Sequence, residues 1–195
     1  MISARIIGLG LALLCSPTVL AQTWSEPTTI PAAQSPLELK LVGWGKEKIT
    51  RARQAIGKTD DSRGDSYFHS VFYQTSSYQA YVGFHEAAHF VQWEQNTIQN
   101  IAKRFFDDPN LEFGSYIDVD HGRADFRTIP LSFSKNGTPI HCWAFRSYWD
   151  RYQADGFLCG LTGKPIPDST IRTFITHISY KTALEPKDEG MLPTP

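Results

Sequence analysis

Alternating apolar and polar positions predict that much of the chain forms strands. In residues 37–42 leucine occupies every second position, which is the pattern of a half-buried strand. Tyrosine and valine recur through residues 66–86, and this indicates two aromatic-rich strands. Short alternating runs continue through residues 111–133, where Gly114 and Gly122 interrupt them. The pattern therefore predicts an antiparallel sheet.

Three segments are predicted as helices. Residues 46–56 indicate a short polar helix that ends at Gly57. Residues 90–106 place apolar side chains at helical spacing and end before an Asp-Asp-Pro stretch. Residues 168–179 begin with Asp168, a residue type that caps helices, and carry apolar residues at i, i+3, i+4 and i+7. We expect these helices to pack on the sheet.

Two hairpins are predicted in the second half of the chain. Asn136-Gly137 is a strong signal for a two-residue turn, because both central positions of a type I′ turn need positive φ. If residues 142–159 fold as a hairpin centred between Asp150 and Arg151, Cys142 falls directly opposite Cys159. A bridge there encloses about 16 residues and stabilises the fold by about 3 kcal/mol in the chain-entropy model. The pair is spaced too widely for the C-x-x-C type of zinc site, and we predict a disulfide.

These elements together predict an α+β fold. The expected architecture is a single small domain at residues 37–180, in which two or three helices pack on an antiparallel sheet with one disulfide hairpin. A signal peptide at residues 1–21 and an extended, proline-containing leader at 22–36 are expected before it. Residues 181–195 are expected to be a disordered tail.

The first residues have the features of a secretory signal peptide. Arg5 precedes an apolar run, and small residues end at Ala21, where a signal peptidase would need them. The run is too short to cross a bilayer, and no later segment approaches the necessary length. Cleavage after Ala21 removes Cys15 and leaves an even pair of cysteines, as expected in an oxidising compartment. We therefore expect a periplasmic or secreted protein with no membrane span in the mature chain. Lipid attachment at Cys15 is the alternative, but it needs small residues where the chain has two leucines.

Composition and charge exclude some classes of partner. Hydrophobic residues make up 41% of the chain and aromatic residues 13%, which is sufficient for a globular core. Loss of Arg5 takes the 19 basic residues to 18, against 20 acidic ones, and the mature chain then carries a net charge of −2. This balance provides no electrostatic surface for nucleic acid or for an anionic membrane, and we expect neither as a partner.

The string FHEAAHFV, at residues 84–91, contains the H-E-x-x-H pattern of zinc peptidases. On a helix, His85 and His89 would share a face and bind one Zn²⁺, and Glu86 would take the proton from the metal-bound water. A third ligand would have to come from a distant position, and the candidates are Glu112, Asp118 and His121. The motif supports an alternative hypothesis, a small zinc metallohydrolase or peptidase.

Two features of the sequence oppose the zinc hypothesis. The residues before His85 have the pattern of a strand, whereas a zinc-binding helix needs more than one turn ahead of its first histidine. No G-x-x-H or other familiar ligand pattern follows His89. We therefore interpret residues 85–89 as the junction between a strand and a helix, with partly exposed imidazoles and a surface position for Glu86.

Aromatic residues at the tip of the disulfide hairpin form a second candidate site. Trp149 and Tyr152 either cap the core or form an exposed recognition patch, and they are the candidate binding residues. Trp93 and Trp143 are expected to pack in the interior.

The order of elements across residues 70–180 resembles that of certain small exported proteins of proteobacteria with no assigned activity. The matching features are a strand leading into a helix opened by Trp93-Glu94, the Cys142 strand, the GFLCG strand and a final amphipathic helix. The resemblance implies that the stretch HEAAH is a strand-to-helix junction.

No complete catalytic constellation can be assembled from the sequence. The leading prediction is therefore a non-catalytic exported protein of the cell envelope, without a cofactor, that binds an unknown protein or other envelope component or contributes to an assembly. The alternative is a zinc enzyme that uses residues 85–89.

Overall fold

The structure of the chain is a computed structural model. The structure describes residues 23–39, 48–58, 64–87, 97–106, 108, 110–122, 124–149 and 151–181. The predicted signal peptide, residues 88–96 with His89 and Trp93, and the predicted tail from residue 182 lie outside the described residues.

Strands form most of the described part of the chain. In chain order they are β1 (Thr23–Trp24), β2 (Thr28–Ile30), β3 (Leu37–Leu39), β4 (Lys48–Lys58), β5 (Ser66–Gln74), β6 (Tyr78–Glu86), β7 (Glu112–Phe113), β8 (Ile117–His121), β9 (Ala124–Lys135), β10 (Thr138–Trp149), β11 (Tyr152–Gly160) and β12 (Ile178–Tyr180). The α-helices are α1 (Ile98–Phe106) and α2 (Asp168–Thr176), and a 3-10 turn lies at Ala32–Gln34. Within the described residues, neither helix has the length and apolarity needed to cross a membrane.

A ten-stranded antiparallel sheet organises the described residues. Its strands follow the order β1-β4-β5-β6-β11-β10-β9-β7, while β2 also pairs with β4 and β8 also pairs with β9. Two meanders, β4-β5-β6 and β9-β10-β11, therefore meet where β6 pairs with β11. β3 and β12 form a separate two-stranded sheet.

The predicted α+β fold is wrong, because the molecule is a β-rich fold built on one large sheet. The predicted helix at 46–56 is also wrong, since Lys48–Lys58 is β4. Its lysine, arginine, alanine and glutamine residues favour a helix locally. However, β4 lies between β2 and β5, and the paired backbone together with burial of Ala52 and Ala55 outweighs that local preference.

The other two helix predictions coincide in part with observed helices. The segment predicted at 90–106 contains α1, and residues 88–96 before it are not described. The segment predicted at 168–179 contains α2, which is followed directly by β12. The described helices are therefore short, at nine residues each.

Both predicted hairpins are present. Asn136 and Gly137 have φ angles of 53° and 77°, and Lys135 pairs with Thr138 across the turn. Cys142 lies opposite Cys159, their Cα atoms are 4.0 Å apart, and their sulfur atoms are bonded. The predicted disulfide is confirmed.

Side-chain alternation along the central strands separates two cores. The first face of the sheet carries Val82, Phe84 and Phe145, and it is covered by α2 and by the β3–β12 sheet. The second face carries Ala144, Phe157 and the disulfide, and it is covered by α1. Alternate residues of a central strand therefore belong to alternate cores.

Candidate functional site

His85 and Glu86 are the last two residues of β6. Successive side chains of a strand point to opposite faces, so the two side chains belong to different cores. His85 lies opposite Phe68 and Gln153, whereas Glu86 lies opposite Tyr67 and Tyr152. The helical arrangement that H-E-x-x-H requires is therefore not formed by its first two residues, and His89 lies outside the described residues.

Glu86 is buried on the first face of the sheet, with 0% of its surface exposed. The Tyr180 hydroxyl, on β12, donates a hydrogen bond of 2.8 Å to Glu86 Oε2, and the Tyr180 ring stacks on Phe84 at 3.7 Å between centroids. Burial raises the pKa of Tyr180, and the neighbouring Glu86 raises it further. The expectation of a surface glutamate is wrong. Glu86 points to the same face of β6 as Val82 and Phe84, which are in the first core.

His69, on β5, extends this buried polar group. It is 4% exposed, and neither ring nitrogen has a hydrogen-bond partner among the described residues. Its ring lies 5.9 Å from that of Tyr180 and 6.3 Å from that of Tyr67. Burial lowers the pKa of His69 to about 4, so the imidazole is neutral at physiological pH. The contacts of Tyr180 with Glu86, Phe84 and His69 join β12 to the sheet.

His85 lies in an aromatic and polar environment on the second face. Its ring is 4.5 Å from Phe68 and 6.0 Å from Trp24. Burial lowers the pKa of His85, Asp155 opposes this effect, and Arg146 adds to it. Gln153 Nε2 donates a hydrogen bond of 2.9 Å to Asp155 beside it. Packing accounts for the position of the ring.

The candidate third ligands are not brought to His85. His121, on β8, is 4% exposed, and its Nε2 lies 3.2 Å from the carbonyl oxygen of Ile178. Four strand-to-strand steps, about 19 Å, separate β8 from β6 across the sheet. Glu112 and Asp118 are exposed, and Asp118 pairs with Arg127 at 3.1 Å. Among the described residues, no group of three or more His, Cys, Asp or Glu side chains is arranged to hold a metal ion.

The tip of the disulfide hairpin is partly built into the first core. Tyr152 is half-buried, its ring lies 5.9 Å from Phe84, and the Arg151 guanidinium lies 5.4 Å from its centroid. The backbone of Trp149 pairs with that of Tyr152. Trp143 is only 3% exposed, and its indole N–H donates a 2.9 Å hydrogen bond to the Ile166 carbonyl oxygen. Tyr152 therefore caps the core, and the predicted packing of Trp143 is confirmed.

An open groove of about 310 Å³, which no pattern in the sequence indicated, lies at the β7 end of the sheet; we call it the edge groove. Its first-face floor comes from β7, β9 and β10, and its wall comes from residues 165–166. The floor side chains are Glu112, Pro130, Ser132, His141 and Trp143.

Cross-strand register creates the edge groove. Glu112 and His141 both lie opposite Ser132, which places three polar side chains in one row across neighbouring strands. Ser132 Oγ lies 3.5 Å from Glu112 Oε2, at the outer limit of a hydrogen bond. Trp143 lies opposite Pro130 in the next row of the same face. The groove thus combines an apolar floor with one polar side.

Rigid contacts surround the edge groove. The hydrogen bond from Trp143 fixes the wall at Ile166, and Gly114 N–H donates a 2.9 Å hydrogen bond to the Pro130 carbonyl oxygen. Cys142, in the disulfide, also lines the groove. The volume of the edge groove is at the lower end of the range for ligand pockets, which are mostly apolar with a few oriented polar groups.

Comparison of the chain with models of protein families, with curated proteins and with solved structures returned no match. The resemblance to small exported proteobacterial proteins stays a prediction.

Proposed function

We propose that the protein is an exported, non-catalytic binding protein of the cell envelope, and that the edge groove takes its ligand or partner. The observation that carries this proposal is the combination of a 310 Å³ apolar groove with a row of polar side chains along one side. Such sites bind by burying apolar surface, and their polar groups set the orientation of the ligand.

The construction of the groove also supports a binding role. Its floor belongs to three strands of one sheet, and the disulfide joins two adjacent strands next to it. A site on a rigid sheet loses little conformational entropy when a ligand binds, and preorganisation of this kind favours affinity. The disulfide also supports export, because such bonds persist in oxidising compartments. The periplasm is the compartment we propose.

The geometry of β6 favours this proposal over a zinc hydrolase. In that enzyme His85 would lie on a helix together with His89, and Glu86 would face the metal-bound water. Instead, His85 lies in a strand, and Glu86 is buried on the opposite face with Tyr180. Release of Glu86 would require the strand to rotate and β12 to move.

A blocked groove tests the proposal. Ser132→Trp places an indole in the edge groove, and the matched control Ser134→Trp places one on the same face of β9 at an exposed position outside it. Fragment-sized aromatic probes are added to each protein with and without a metal chelator, and binding is followed by saturation-transfer NMR. The indole N–H resonance of Trp143, assigned with Trp143→Phe, reports occupancy in the wild-type chain itself.

We expect the probes to bind the wild type and Ser134→Trp, to shift the Trp143 resonance, and to bind Ser132→Trp at least about tenfold more weakly, since filling the pocket removes the apolar contacts. Probes that bind without shifting Trp143 would refute the edge groove as the site. Binding that disappears in chelator would instead favour the zinc enzyme.

A further inference from the structure

We infer that the edge groove selects an organic cation carried on an apolar body, such as an ammonium group on an aromatic or aliphatic chain. This inference rests on the proposed function and specifies the chemical class of the ligand. It follows from the charge, the Trp143 ring and the acceptor atoms that line the groove.

The charged lining of the groove has one sign. Of the described residues that line it, Glu112 carries a carboxylate, and none is a lysine or an arginine. Lys164 adjoins the wall but does not line the groove. A ligand with a positive group therefore gains an ion pair at Glu112, whereas an anionic ligand is repelled there.

The acceptor atoms point to the same class of ligand. Glu112 and Ser132 lie side by side in the polar row, and the His141 ring follows on the next strand. An ammonium group has three donors and no acceptor, so it can use a carboxylate, a hydroxyl oxygen and an imidazole nitrogen at once. A carboxylate ligand could accept from Ser132 or His141, but it would lie beside the Glu112 carboxylate, which repels it.

The aromatic ring of Trp143, beside the polar row, provides a further contact. The Trp143 ring lies in the floor, on the same face as the polar row, whereas the Phe113 ring packs into the second core. Cations are attracted to the faces of aromatic rings, most strongly to that of tryptophan. The apolar body of the ligand would lie on Pro130 and Ile166, which complete the lining next to Trp143. The edge groove thus offers a place for each part of such a molecule.

Three probes of one shape test the inference on the full mature chain. They are 2-phenylethylammonium, the neutral 2-phenylethanol and the anionic 3-phenylpropionate, and their dissociation constants are measured by NMR titration of the Trp143 indole. The variant is Glu112→Gln, and its matched control is Glu26→Gln, which neutralises an exposed glutamate between β1 and β2. Each titration is repeated at high salt.

We expect the ammonium to bind about twofold to fivefold more tightly than the alcohol, the range expected for one solvent-exposed ion pair, and the carboxylate to bind most weakly. Glu112→Gln should remove this preference, Glu26→Gln should retain it, and high salt should reduce it.

A capped phenylalanyl-lysine amide is added as a fourth probe. Tighter binding of this peptide than of the free ammonium would assign the cation to a partner's lysine side chain, and weaker binding would assign it to a small molecule.

The outcomes separate this inference from the proposed function. Equal affinities for the three small probes, all lost in Ser132→Trp, would overturn the cationic ligand and leave the edge groove as a binding site. A preference for the ammonium that persists in Glu112→Gln would also overturn the inference. If no probe shifts Trp143, both the inference and the proposed function are refuted.

Discussion

Acid should destabilise the fold through His69, and the size of the effect can be worked from its surroundings. The folded-state pKa of about 4 compares with about 6.5 in the unfolded chain. Between these values the unfolded chain binds a proton that the folded protein excludes. The difference in pKa does not lower the free energy of unfolding above about pH 7. As the pH falls from 6.5 to 4, the free energy of unfolding decreases, because the unfolded chain takes up the proton and the folded protein does not. At about 1.4 kcal/mol for each pH unit, the loss amounts to about 3 kcal/mol.

The comparison of wild type with His69→Leu isolates this effect. Leucine has a similar volume and no polar atoms, and both ring nitrogens of His69 lack hydrogen-bond partners among the described residues. We expect the variant to be about as stable as wild type at pH 7.5 and more stable by about 3 kcal/mol at pH 4. Urea unfolding at half-unit steps from pH 4 to pH 8 gives the two curves.

Subtraction of the curves removes the contributions of other titrating groups, including His85, whose pKa is also lowered by burial. The dependence of unfolding free energy on urea concentration must be equal in the two proteins, since a change in it would indicate a different unfolded state. Parallel curves from pH 4 to pH 7 would refute the reasoning, because His69 would then be free to take a proton in the folded protein.

Three further predictions concern the disulfide, the buried carboxyl group and metal. Replacing Cys142 and Cys159 by alanine should lower the free energy of unfolding by about 3 kcal/mol, since their bridge restricts the unfolded chain. Urea unfolding measures this, and a loss under about 1 kcal/mol would contradict it. A double-mutant cycle of Tyr180→Phe and Glu86→Met, which removes the acceptor, should give a coupling of about 1–3 kcal/mol for the buried hydrogen bond, and strict additivity would argue against it. Metal analysis should find well under one zinc per chain; one zinc per chain that is lost in His85→Ala would restore the zinc hypothesis.

Local signals predicted the β9–β11 region well. The Asn136-Gly137 turn and the spacing of the two cysteines each act within one hairpin, so the register follows from nearby residues. β4 shows the opposite case, because its composition favours a helix and only its neighbours in the sheet make it a strand. The large sheet was underestimated for this reason.

The candidate site was harder to predict than the hairpins. The burial of Glu86 had a usable signal, since strand alternation places it with Ala80, Val82 and Phe84. Strand alternation no longer predicts burial of Glu86 if residues 85–89 are interpreted as the start of a helix. The edge groove had no such signal, because its lining comes from three strands and the 165–166 loop, which meet only in the folded chain.

The pairing of β6 with β11 has a consequence for the order of folding. Within each meander, neighbouring strands follow one another in sequence, but β6 and β11 are separated by all of α1, β7, β8, β9 and β10. To pair β6 with β11, the chain must close a long loop, and the loss of chain entropy precedes the contacts that compensate for it. Contacts between residues far apart in sequence therefore slow folding. We expect the two meanders to form early and their union to limit the folding rate. Because the disulfide lies wholly within the later meander, its reduction should weaken that half while leaving the rate of union little changed.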